Sequence, residues 1–164
     1  MPPRLRIISG GQTGADRAAL DFALEQGIPH GGWCPKGRLA EDGPISRRYR
    51  LRQTPGAEYL QRTEWNVRDA DATVIISVAR ELSGGSLATQ QFARLHHKPC
   101  LHLVGQRPMA ANARRLQQFV RRHRVKVLNV AGPRASHEPG AALLVKQILT
   151  AAFARGSKTT KAKT

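Results

Sequence analysis

Leu5-Arg6-Ile7-Ile8-Ser9-Gly10-Gly11-Gln12-Thr13-Gly14-Ala15-Asp16-Arg17 is the stretch that decides the fold. Leu5–Ser9 is a short apolar run of β type, and Ser9–Gly14 is a glycine turn. From Asp16 to Gln26 the spacing of Ala19, Leu20, Ala23 and Leu24 predicts a helix with one apolar face, closed by Gly27-Ile28-Pro29. Strand, glycine loop and helix together make a Rossmann-like opening unit. Glycine lets the backbone turn sharply and approach a ligand, while the helix N-terminus offers free N–H groups and a positive dipole end. A phosphate is the natural guest. The loop spacing matches neither G-x-G-x-x-G nor the Walker pattern, because no lysine follows its last glycine.

Outward from this unit, β-type runs alternate with amphipathic stretches. Gly31–Cys34 reads as a second strand, and Pro35–Pro44 is too rich in glycine and proline for regular structure. Ala57–Arg68 reads as a helix. Ala72–Val78 is a continuous β-branched run, the pattern of a central strand covered on both faces. A helix follows Ser83–Ser86 to about His97, then strand Cys100–Val104, helix Ala110–His123, strand Val125–Val130 and helix Ala141–Ala154. Five strands joined through helices predict an α/β fold with a doubly wound, mainly parallel sheet in the order 2-1-3-4-5. Residues 1–154 form one expected domain. Residues 155–164, with Arg155, Lys158, Lys161 and Lys163 and no acid, are an expected disordered basic tail.

The 164 residues are 40% hydrophobic and 23% charged, which suits a soluble globular chain, and no apolar run is long enough to span a bilayer. The opening residues carry no secretory signal pattern, so a cytoplasmic address is expected. Cys34 and Cys100 are expected to be reduced, buried thiols. The six histidines show no zinc spacing and no metal site is evident; His96 and His97 are adjacent and cannot share a helix face. A net charge of +16 attracts anions, from phosphorylated small molecules to nucleic acid. The clusters Arg47–Arg52 and Arg121–Arg124 read as solvated surface, with nucleic-acid binding as the alternative.

Ligands of such sheets sit beyond the carboxyl ends of the strands. Three loops are expected to converge there. The first supplies Gly10, Gly11, Gln12, Thr13 and Gly14, with Asp16 in the first helical turn. The second, Ser83-Gly84-Gly85-Ser86 with Thr89 one turn on, repeats the design of paired glycines, hydroxyls and a helix N-terminus. In the third, Lys36, Gly37 and Arg38 could close over phosphate while Glu41 and Asp42 meet sugar hydroxyls or a metal. Arg62, Asn66 and Asp69 form a polar stripe on their helix, with Leu60, Val67 and Trp65 facing apolar surroundings. No nucleophile, base and acid assemble from the sequence, so no catalytic residue is assigned.

Taken in order, Ser9–Arg17, Gly32–Arg38 with Glu41–Gly43, Arg62-Thr63 with Asn66-Val67, Ser83–Ser86 with Thr89, and Asn129–Arg134 resemble the molybdenum-cofactor carrier proteins over about residues 5 to 150. That family is similar to the lysine-decarboxylase-like phosphoribohydrolases and the DNA-processing protein A family. The resemblance implies a homo-oligomer, a dimer or tetramer, that binds molybdenum cofactor or a related phosphorylated pterin or nucleotide. The related phosphoribohydrolases carry P-G-G-x-G-T-x-x-E at the second loop with a catalytic glutamate, whereas this helix continues Thr89-Gln90-Gln91. Neutral glutamine is poor both at activating water and at stabilising an oxocarbenium-like centre. Binding is therefore favoured over hydrolysis; a nucleoside monophosphate phosphoribohydrolase and a nucleic-acid-binding module are the alternatives.

Overall fold

The structure, a computed structural model, describes residues 4–154. The tail expected over 155–164 lies outside the described residues. Strand β1 (Arg6–Ile8) leads into helix α1 (Ala15–Gln26). Gly27 ends α1 in the left-handed conformation, where its N–H and that of Ile28 reach back to carbonyls of the last turn. The run read as one strand over 31–34 is divided. Strand β2 (His30–Gly31) joins the main sheet, whereas β3 (Trp33–Cys34) turns away to pair with β6 (Arg52–Gln53). Between them, β4 (Leu39–Ala40) and β5 (Gly43–Pro44) form a small antiparallel pair inside the segment expected to be irregular.

Helix α2 (Tyr59–Asp69), strand β7 (Ala72–Ser77), helix α3 (Gly84–Leu95), strand β8 (Cys100–Val104), helix α4 (Met109–Arg122), strand β9 (Val127–Ala131) and helix α5 (Ala141–Phe153) complete the chain. The α/β class, the five parallel strands and the flanking helices agree with the sequence reading. The strand order does not. Counted along the chain, the five strands lie in the order 2-1-5-3-4, not 2-1-3-4-5, because β9 is inserted between β1 and β7. Leu128 and Val130 have no exposed surface, and β9 pairs on one side through Ile7 with Leu128 and on the other through Val74 with Val130. Sequential strands are usually neighbours but need not be. Were β9 and α5 carried to the front of the chain, the order would read 3-2-1-4-5, the doubly wound arrangement with its switch point between β9 and β7.

The two faces of the sheet differ in character. Ile7, Val74, Ile76, Leu103, Leu128 and Val130 pack with apolar residues of α1, α4 and α5 in one continuous core. Alternation along the strands turns Thr73, Ser77 and Asn129 to the opposite face, which α2 and α3 cover. All three polar residues are buried, and Asn129 Nδ2 donates to Thr73 Oγ1 at 3.2 Å. A polar patch buried under two helices invites a ligand more than a dry core does.

Candidate functional site

That patch floors a cavity of about 280 Å³ beyond the carboxyl ends of β9 and β7. The volume lies near the lower end of small-molecule sites, roughly 300–1,000 Å³. Both glycine loops reach it. Of the residues singled out in the sequence, Gly10, Gln12, Asp16, Arg62, Asn66, Gly84, Gly85, Ser86 and Thr89 line this cavity. Gly11, Thr13, Gly14, Lys36, Gly37 and Arg38 do not. Gly11 abuts Ile45 and Leu51, and Gly14 abuts Pro133 and Ala135. Thr13 bonds the Glu41 carboxylate and accepts from the Ala135 amide at 3.1 Å.

The loop over 35–44 lies elsewhere than the sequence suggested. Arg38 spends its guanidinium on four carbonyls, those of Ile45, Ser46, Tyr49 and Leu51, at 2.8 to 3.3 Å. Glu41 holds Ser136 and Thr13, and those bonds keep its carboxyl below the usual range. Asp42 is paired with Arg17. Lys36 and Gly37 are exposed outside the cavity.

The two glycine loops also differ in what their amides have left to give. In the first loop, Gly11 N–H donates to Ser9 Oγ, Gln12 N–H to Asp16 Oδ2 and Thr13 N–H to Gln12 Oε1. The first amide of α1, Ala15 N–H, donates to the Pro133 carbonyl at 3.1 Å. Little remains for a ligand. In the second loop, α3 begins without a side-chain cap, and the N–H groups of Gly84, Gly85 and Ser86 have no acceptor among the described residues. Of the two glycine loops, the second is therefore the one with backbone donors left to give.

Gly10 is held close to two charged side chains. A Cβ there would fall 2.6 Å from Arg62 Nη1 and 2.9 Å from Asp16 Oδ2, so only glycine leaves room for both. Arg62 donates to the Gly10 carbonyl at 2.8 Å and lies 3.9 Å from Asp16. Burial pushes the Asp16 carboxyl up to about 6, opposed by Arg62, by the Gln12 and Gly10 amides and by Arg17. Burial likewise draws the Arg62 guanidinium down, with Asp16 acting against it. Gln12 is 5% exposed, its Oε1 accepts from the Thr13 and Glu41 amides, and its Nε2 has no partner. A buried donor left unmatched beside a cavity points to a group that arrives from outside.

Arg62 and Asn66 of the α2 stripe are buried, whereas Asp69 stays exposed. Asn66 exchanges two hydrogen bonds with the Trp33 backbone, and Asp69 accepts from the Trp33 indole at 2.7 Å, so the stripe fastens β3 to α2. Val67 is fully buried, but Leu60 is 57% exposed and does not face the apolar surroundings expected for it. Cys34 and Cys100 are free thiols, buried and half-buried, and burial pushes Cys100 up to about 11. Neither lines the cavity.

Sequence reasoning assigned no site residue to the loop after β9. Gly132, Pro133, Arg134, His137 and Glu138 nevertheless form the third wall, and Ser77 and Asn129 form the floor. Arg134 shares the Tyr59 ring with Arg62, their guanidinium carbons standing 5.4 and 5.2 Å from its centroid. The signal for this wall was a glycine-proline turn directly after an apolar strand.

A strand order that becomes doubly wound when the last strand is moved to the front is the mark of a circular permutation. The family model of the circularly permutated YpsA SLOG family matches residues 7–153. The chain belongs to that family. It is also similar to a crystal structure from Syntrophus aciditrophicus SB titled "Putative molybdenum carrier protein", at 46% sequence identity and a TM-score of 0.91, over 93% of this chain and 97% of that one. No curated protein matches. In this family member no helix among the described residues is long and apolar enough to cross a membrane. No group of three His, Cys, Asp or Glu residues among them could hold a metal ion.

Proposed function

We propose that this chain is a carrier that binds a phosphorylated nucleotide-type or pterin-nucleotide ligand, molybdenum cofactor among them, in the cavity between the two glycine loops. The observation that carries this reading is the uncapped N-terminus of α3, whose free amides open into a cavity that also holds the unpartnered Gln12 Nε2. In this reading the phosphate sits on the Gly84, Gly85 and Ser86 amides, with the Ser86 and Thr89 side chains beside it. Gln12 Nε2 and the Asp16 carboxylate are the donor and acceptor for the edge of a pterin or purine ring. Molybdenum cofactor, a phosphate monoester on a pterin that brings its own metal, fits this donor set as cargo. The similarity to a molybdenum carrier structure supports the same class of ligand.

A polyanion suits the cavity poorly, since its lining holds the carboxylates of Asp16, Glu81 and Glu138 beside only two arginines, Arg62 and Arg134. The test is calorimetric titration of the full chain with molybdopterin, a nucleoside monophosphate and a short RNA. Micromolar or tighter binding is expected for the small phosphate esters. Gly85→Asp places a carboxylate at the helix end, where a Cβ meets open space, and weakens binding by about tenfold or more. Wild-type protein that ignores every phosphorylated ligand, or a variant that binds as well as wild type, defeats the proposal.

A further inference from the structure

A second pair of backbone donors lies at the cavity's edge, where Ala79 and Glu138 line it. The N–H groups of Val78 and Ala79, where β7 ends, converge on one carboxylate: Ala79 donates to Glu138 Oε1 at 2.8 Å and Val78 to Oε2 at 3.1 Å. Two adjacent amides meeting two oxygens is also how a backbone holds a phosphate. Glu138 reaches them from the loop after β9, so its carboxylate spans the switch point, where ligands of doubly wound sheets bind. One of the two donor sets is thus filled by the protein itself, while the other is open.

The charges agree with this division. The chain as a whole carries +16, yet the cavity lining sets two arginines against three carboxylates. Arg62 is already committed to the Gly10 carbonyl and stands by Asp16. A single phosphate on α3 meets helix dipole and free amides, but a second phosphoryl group beside it meets Glu138 in its seat and Glu81 nearby.

We propose that Glu138 is a specificity residue that limits the ligand to one phosphate, admitting phosphate monoesters and rejecting diphosphates. The inference rests on the reading of the cavity as a phosphorylated-ligand site and narrows it to the monophosphate members, excluding pterin-nucleotides joined through a diphosphate. Specificity here comes from a filled seat and a repulsive charge rather than from an added contact.

The experiment titrates the full chain with AMP and with ADP, without divalent metal, in wild type, Glu138→Gln and Glu138→Ala. Glutamine keeps the shape but offers the two amides one acceptor oxygen and no charge; alanine opens the seat fully. Wild type is expected to prefer AMP by about tenfold or more, and both variants to cut that preference at least about fivefold by gaining affinity for ADP. Thermal unfolding of each variant identifies any that fails to fold, and the glutamine variant carries the test if alanine does. Equal affinity of wild type for the two nucleotides, or an unchanged ratio in a folded variant, overturns the proposal. AMP binding that is lost in Gly85→Asp while Glu138→Gln leaves the ratio unmoved keeps the cavity reading and removes this one. Wild type that binds neither nucleotide removes both.

Discussion

Replacing Asp16 with asparagine separates what this carboxylate costs the fold from what it does for the site. Its proton is held more tightly in the folded protein, with the carboxyl moved from 3.8 to about 6 chiefly by burial. Each unit is worth about 1.4 kcal/mol, so roughly two units amount to about 3 kcal/mol. The sign follows from proton uptake. Below about pH 3.8 the group is neutral in both states and contributes nothing. Between there and about 6 the folded state binds more protons than the unfolded one, so stability falls as pH rises. Above that range the full penalty applies. Asparagine resembles the neutral acid and can still accept from the Gln12 amide, so it escapes the penalty. Urea unfolding of both proteins should show the Asp16→Asn advantage growing by about 3 kcal/mol between about pH 3 and pH 7.5. A gap that does not change with pH, or narrows as pH rises, would refute the claim that Asp16 is charged against its burial. In the proposed reading the charge that burial opposes serves the ligand. The same variant should accordingly bind the phosphate ester less tightly.

Two further outcomes test the geometry around the cavity. Gly85 has an ordinary backbone conformation and a Cβ there meets nothing within 4 Å, so the chain does not itself require glycine at this position. Gly85→Ala is expected to raise unfolding free energy by about 0.4–1 kcal/mol while lowering ligand affinity; a stabilised variant with intact affinity would show that the position serves no ligand. Arg38→Ala releases the four carbonyls that knit residues 45–51 over Leu20, Cys34 and Ala40, and should cost roughly 2–3 kcal/mol in urea unfolding with ligand affinity unchanged. Loss of affinity in a protein of normal stability would return Arg38 to the ligand.

The elements were legible in the sequence because their signals are local. The apolar run of β1, the apolar spacing of α1 and the continuous run of β7 each reflect a short stretch meeting a buried surface. The glycine loops could be placed for the same reason. What a local signal does not carry is which amides remain free. Gly10–Gly14 and Gly84–Ser86 look alike on paper, yet Ser9, Gln12, Asp16 and Pro133 consume the donors of the first and nothing among the described residues consumes those of the second. Arg38 and Lys36 invited a role over phosphate through charge alone, and only the path of residues 45–51 shows where the Arg38 guanidinium is spent.

Strand order was decided by tertiary structure alone. Nothing within Val127–Ala131 announces that it pairs with β1, about 120 residues earlier in the chain, on one side and with β7 on the other. Placing that strand at the sheet edge kept its following loop away from the crevice and hid Arg134 and Glu138 as site residues. The sequence by itself determined the layers, the buried faces and the glycine turns, since these follow from periodicity and backbone sterics. Long-range pairing, settled by how α5 and β9 bury their apolar surface at the centre, decided which three loops meet around one cavity.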